Sequence, residues 1–145
     1  GMSHFVLTYG TLKKSFHNHH LLLNASFVCR ARTKEPVFQM IQLQSRSKKG
    51  VYCPGAVPGS SHIVGEVYST DDEGLAILDK LEEQNIRYTR ELIEIQTYSV
   101  DPAAKSTPTA AWMYMHTLPD EAKFPDTQVD FNEQTNSYDW RDVSA

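Results

Sequence analysis

Two short stretches of this 145-residue chain combine residue types and spacing that bear on chemistry. The first is Tyr9-Gly10-Thr11-Leu12, which follows the apolar run Phe5-Val6-Leu7. Glycine at a strand end admits backbone angles that a side chain forbids. Successive N–H groups at such a turn can converge on one point, so Gly10, Thr11 and Leu12 are candidates to hold a carboxylate or carbonyl oxygen with main-chain donors. Read on their own, the same residues also make a simple turn before a helix. The second stretch is Leu78-Asp79-Lys80-Leu81-Glu82-Glu83, where Glu82 lies one residue beyond a Leu75/Leu78/Leu81 stripe. A carboxylate near a helix C-terminus meets the unfavourable end of the dipole. Partial burial acts on its pKa in the same upward direction. Such a group can accept a proton and return it. The other reading is that Glu82 and Glu83 are solvated helix-end charges, with Tyr88 and Arg90 as surface residues on the next strand.

Other chemistries are poorly supplied. No second glycine follows Gly10 at nucleotide-loop spacing, and no GK[ST] closes the turn. His17 and His20 share a helical face, with His19 beside them, but no HExxH or paired carboxylate accompanies them. They read as surface or capping histidines, and no metal and no cofactor is expected. Cys29 and Cys53 fit no metal or CxxC pattern and read as reduced thiols of a cytoplasmic protein.

These residues need elements to hold them. Runs rich in Val, Ile, Tyr, Phe and Thr predict strands over 4–9, 26–32, 36–43, 50–53, 62–69, 88–98 and 110–116. In the run 62–69, alternation sets Val64, Glu66 and Tyr68 on one face. The stretch YCPGAVPGSS (52–61) reads as a turn-rich connection, and 99–109 as a hairpin loop. A short helix runs from an Asn18 cap to Leu23. A longer one starts at Thr70 or Asp71, carries acids in its first turn and stops near Glu82–Asn85. The tail, 117–145, holds seven acids against Lys123 and Arg141 and reads as a solvated wrap anchored by Phe131, Tyr138 and Trp140. The pattern is an α+β or barrel-like single domain over 2–145, with its core in 4–116.

Composition agrees: 40% apolar, 22% charged and a net charge of −4 describe a globular chain with nothing to attract nucleic acid. No apolar run approaches the roughly 18–20 residues needed to span a bilayer. No apolar leader region is read at the N-terminus, and Gly1 ahead of Met2 reads as a remnant of expression.

YGTLKK (9–14), GEVYSTDDEGLAILDKLE (65–82) and YTREL (88–92) stand in an order and at distances that resemble the γ-glutamylcyclotransferase-like superfamily. Its members carry YG[ST]L, then G-E-[VIL]-Y, a helix, L-D-x-[LF]-E and Y-x-R. Within it, YGTLKKSFHNHHLL is most similar to the γ-glutamylamine cyclotransferase branch, with Asn18-His19 on that branch's Asn-His. Asn136-Ser137-Tyr138-Asp139 is similar to a Ser-Tyr-Asp in that branch's tail. Ser15 and Glu83 depart from the family's usual glycines.

The resemblance implies a small mixed β-barrel of about six to seven strands with two short helices packed outside. It also implies that the α-amine of a γ-glutamyl group attacks its own γ-amide carbonyl, giving 5-oxoproline and a free amine, typically lysine. Glu82 takes the catalytic proton-shuttle role, and Tyr9, Gly10, Thr11 and Leu12 bind the glutamyl head. The expected partner is a small γ-glutamyl amide, met by a monomer with no nucleic acid or membrane. Tyr114, Tyr138 and the 52–61 stretch are candidates for the amine side. The alternatives are a γ-glutamyl amino acid or glutathione specificity, a non-catalytic binding module on the same fold, and an interaction protein built on the acidic tail.

Overall fold

In chain order the strands are β1 (His4–Thr8), β2 (Ser26–Thr33), β3 (Phe38–Gln44), β4 (Tyr52–Pro58), β5 (His62–Thr70), β6 (Tyr88–Thr97), β7 (Ala110–His116), β8 (Lys123–Phe124), β9 (Val129–Asn132) and β10 (Ser137–Trp140). One helix, α1 (Asp72–Leu81), lies between β5 and β6. They come from a computed structural model that describes residues 3–10, 25–45, 49–82, 87–98, 107–117, 123–124 and 127–141. Thr11, Leu12, the helix expected at 18–23 and His17, His19 and His20 lie outside the described residues.

Five strands close a ring in the order β1-β5-β2-β6-β7 and back to β1. The β7–β1 contact, Val6 opposite Trp112, is parallel, and the other four pairings are antiparallel. The ring is a small mixed barrel, the fold class expected from the family likeness, with more strands around it than the six to seven anticipated. Alternation along each strand fills both faces. Leu7, Ala31, Val67, Ile95 and Met113 belong to the main core, while Val6, Tyr68, Tyr88 and Tyr114 form a second cluster with Leu75 and Leu78 of α1. The expected face of β5 holds Val64 and Tyr68 buried and Glu66 half-buried, and the opposite face, with Ile63 and Val67, is buried too.

The helix begins as expected. Asp71 is its N-cap, accepting the Gly74 N–H at 2.8 Å, and Asp72 and Glu73 occupy the first turn. Of the leucine stripe, Leu75 and Leu78 are buried and Leu81 is exposed at the helix end.

Two segments differ from the sequence reading. Residues 52–58 form strand β4, paired along its whole length with β3. Its prolines made it look like a turn, yet they remove no ladder bond. Pro54 and Pro58 share the parity of Ala56, whose N–H points away from β3 to the Tyr9 hydroxyl. The missing N–H groups therefore fall on the side where β4 meets β7 only at Ala56 opposite Met115. The tail is also built into the sheet. β9 and β10 form an antiparallel hairpin, and β10 runs parallel to the start of β5. Trp140 is buried in the main core, and Phe131 remains exposed with its ring 4.7 Å from that of Tyr138.

Candidate active site

The site lies where β1 and β4 part from β7. β1 meets β7 at Trp112, and β4 meets it three residues further along, at Met115. Tyr9, just past the end of β1, spans the gap. Its hydroxyl donates to the Tyr114 carbonyl at 2.5 Å and accepts the Ala56 N–H at 3.1 Å. Tyr88, the first residue of β6, makes a second tie, donating its hydroxyl to the Pro54 carbonyl at 2.9 Å. Cys53 Sγ is 3.9 Å from that hydroxyl. The open side of β4 is thus held to the barrel by two buried phenols.

Gly10 follows Tyr9 directly. A Cβ there would lie 2.7 Å from Pro54 Cγ and 3.0 Å from Cδ. Its φ is not positive; Gly50 is the glycine with that feature among the described residues. Gly10 is therefore required for space against the proline ring, not for an unusual torsion, which corrects the reason anticipated from sequence.

Glu82 enters this wall from α1. It is the helix C-cap, half-buried, with its N–H donated to the Leu78 carbonyl at 2.9 Å. Its carboxylate is near enough to act on three phenols. Burial pushes the Tyr9 hydroxyl far above its ordinary range, and the Glu82 charge adds to that. Burial raises Tyr88 likewise, followed by nearby Cys53, Tyr9 and Glu82, with the Arg87 guanidinium opposing. Tyr114 is raised by burial, by its hydrogen bond to Asp79 and by the Asp79 and Glu82 charges, with Arg90 opposing. All three phenols stay protonated, so the carboxylate faces neutral hydroxyls. Arg87 is buried, donates to the Gln44 carbonyl at 2.8 Å and lies 5.7 Å from the Tyr88 ring centroid.

The fold therefore brings together Glu82, Tyr9 and Gly10 of the expected site residues, with Tyr114 and the Pro54 end of β4. Tyr138 stands apart in the β9–β10 hairpin, against Phe131. Sequence reasoning gave no role to Tyr88, Asp79 or Arg87. The first could have been found as the aromatic that opens the strand after the Glu82 helix. A buried arginine leaves no such pattern. Among the described residues no cluster of His, Cys, Asp or Glu is arranged to hold a metal ion. Neither Cys29 nor Cys53 forms a disulfide. Also among the described residues, no helix is long and apolar enough to cross a membrane.

Chemically, the arrangement offers the Glu82 carboxylate, held at a helix end among neutral phenols, beside a strand end whose backbone lies close against β4. It can move a proton over a short distance next to an anchored small molecule.

Comparison with known proteins follows the same line. Residues 6–142 match the family described as "Gamma-glutamyl cyclotransferase, AIG2-like". The chain is similar to the Escherichia coli K12 "Gamma-glutamylcyclotransferase family protein YtfP", with 32% identity over 137 residues, 94% of this chain and 96% of that protein. It is also similar to zebrafish (Danio rerio) "Gamma-glutamylaminecyclotransferase C", with 38% identity over 100 residues. That match covers 65% of this chain and spans only 63% of the zebrafish protein's length. The crystal structure of a mouse (Mus musculus) AIG2-like protein superposes with a TM-score of 0.62, covering 84% of this chain and 81% of that one. At 24% identity, that likeness speaks for the fold alone. The closed mixed barrel and the match over nearly its whole length make this chain a member of the γ-glutamyl cyclotransferase, AIG2-like family and an enzyme of the γ-glutamylcyclotransferase type.

Proposed function

We propose that the protein is a γ-glutamylamine cyclotransferase, acting on γ-glutamyl-ε-lysine-type amides to form 5-oxoproline and the free amine. The observation that carries this reading is Glu82, a half-buried carboxylate at the end of α1 whose charge bears on the phenols of Tyr9, Tyr88 and Tyr114 alike. The substrate's α-nitrogen is the nucleophile, so the protein needs no Ser or Cys nucleophile of its own. Glu82 takes a proton from the α-ammonium. The freed amine attacks the γ-carbonyl, a ring C–N bond forms, and the original amide C–N bond breaks as that proton passes to the departing nitrogen; the ring nitrogen gives up its second proton to the same amine, which leaves as an ammonium. Atoms and charge balance without water. Ring closure is intramolecular, and effective molarities of about 10⁵–10⁸ M in well-oriented systems make holding the chain curled a large part of catalysis. Main-chain donors at Gly10, Thr11 and Leu12 anchor the glutamyl head and meet the charge that develops on the carbonyl oxygen. The amine specificity is supported by the likeness to the zebrafish protein and by the Asn18-His19 pair of the sequence.

The test is 5-oxoproline release from γ-glutamyl-ε-lysine, with γ-glutamyl-alanine and glutathione in parallel, comparing wild type with Glu82→Gln. The expected result is preference for the isopeptide and a loss on the order of 10²–10⁴-fold in the variant, the usual scale for general acid–base catalysis. Preference for another γ-glutamyl compound would move the specificity. Release from none, with binding retained by both proteins, would favour a binding module.

A further inference from the structure

Asp79 of LDKLE and Arg90 of YTR are charged residues of the family-like motifs to which the reaction gives no part. They meet in space. Arg90 Nε is 3.0 Å from Asp79 Oδ1, and the Tyr114 hydroxyl donates to the same oxygen at 2.6 Å. Arg90 on β6 and Tyr114 on β7 are directly opposite in register, so two paired strands present a cation and a hydroxyl side by side to one carboxylate of the helix. The guanidinium also lies over the Trp112 ring, 4.2 Å from its centroid, which fixes its plane. Tyr114 continues the chain of contacts, since its carbonyl accepts the Tyr9 hydroxyl, which in turn accepts the Ala56 N–H.

Residues three apart share a helix face, so whatever fixes Asp79 fixes the face that carries Glu82. The Asp79–Arg90 pair is partly buried, and even at the surface the median ion pair contributes only about 0–1 kcal/mol. A hydroxyl and a guanidinium on adjacent strands, one hydrogen-bonded to and one ion-paired with the same oxygen, instead specify rotation and height of the helix, a constraint on geometry more than on stability. From this juxtaposition we infer that Asp79, held by Tyr114 and Arg90, is a positioning residue that aims Glu82 at the gap between β1 and β4. The inference rests on the catalytic role proposed for Glu82.

The experiment compares wild type, Asp79→Asn, Tyr114→Phe and the double variant in two ways. One is kcat and KM for γ-glutamyl-ε-lysine. The other is amide hydrogen exchange at Glu82, read against Leu75, whose N–H is donated to the Asp71 carbonyl at the opposite end of the helix. A misaimed catalytic group is expected to cost about 10- to 100-fold in kcat, with KM within about threefold. The double variant should be no worse than the poorer single one, because the residues act as a unit. Exchange should quicken at Glu82 and not at Leu75. An unchanged kcat, or a loss accompanied by equal quickening at both amides, would overturn the inference and leave a purely structural contact. Wild type inactive on every γ-glutamyl substrate would overturn the proposed function instead. The exchange contrast would then decide the positioning of the helix end by itself.

Discussion

Tyr9 shows how one hydroxyl can hold a site wall. Its proton goes to the Tyr114 carbonyl and its oxygen receives the Ala56 N–H, so both hydrogen-bonding capacities serve the protein. Tyr9→Phe should strand that carbonyl and that N–H, at about 1–3 kcal/mol for each buried group left unpaired. The urea midpoint is expected to fall with the m-value unchanged, and 5-oxoproline release to fall with it. An unaltered midpoint would mean that β4 does not depend on this tie. Beside it, Gly10 is a residue chosen by volume: the Pro54 ring occupies the space of its absent side chain. Glu82→Gln belongs to this scale as well, because it removes one ionisable oxygen and little else.

At the scale of elements, α1 is an arm whose two ends do different things. Asp71 caps its start, and Asp71→Ala should cost about 1 kcal/mol, read as a lowered Tm that Asp71→Asn largely restores. Its far end carries Glu82. The tail is held by a different device. The buried Gln42 side chain accepts the N–H groups of Thr127 and Gln128 at 3.0 and 2.8 Å and donates to the Thr127 hydroxyl at 2.9 Å. Gln42→Leu keeps the bulk and removes all three bonds. Exchange at the Thr127 and Gln128 amides is expected to rise at least about tenfold, which corresponds to about 1.4 kcal/mol of local stability. No change at these amides would show that β10 and Trp140 alone secure the segment.

For the molecule as a whole, the three site phenols predict alkaline behaviour. Their pKa values lie above the ordinary value of 10 in the folded state, chiefly because they are buried. In the unfolded chain they ionise near pH 10. Above that pH the unfolded state binds fewer protons than the folded state, so stability falls as pH rises. Below pH 10 their contribution is fully present. Above it, each phenol removes about 1.4 kcal/mol per pH unit, so the urea midpoint should be flat through neutrality and drop steeply between about pH 10 and 11.5. A flat profile through pH 11.5 would show that the phenols ionise as easily folded as unfolded.

Residue types and order settled more of this protein than its periodicities did. The helix, its Asp71 cap and the strands before and after it were legible, since capping and alternation are local and act within a few residues. The closeness of YGTL and LDKLE was implied only through family likeness, because no local rule brings residue 9 to residue 82. Strand β4 was hidden: two prolines mark a turn unless their missing N–H groups face an unpaired side, and that side exists only once β3 has paired. The tail hairpin was hidden for a similar reason. Its segments, Val129–Asn132 and Ser137–Trp140, are four residues each and gain their stability from β5 and the main core. The convergence of Arg90 and Tyr114 on Asp79 depends on the β6–β7 register and the rotation of α1 together. Such a meeting is a property of packing, in which residues distant along the chain acquire their roles from what surrounds them.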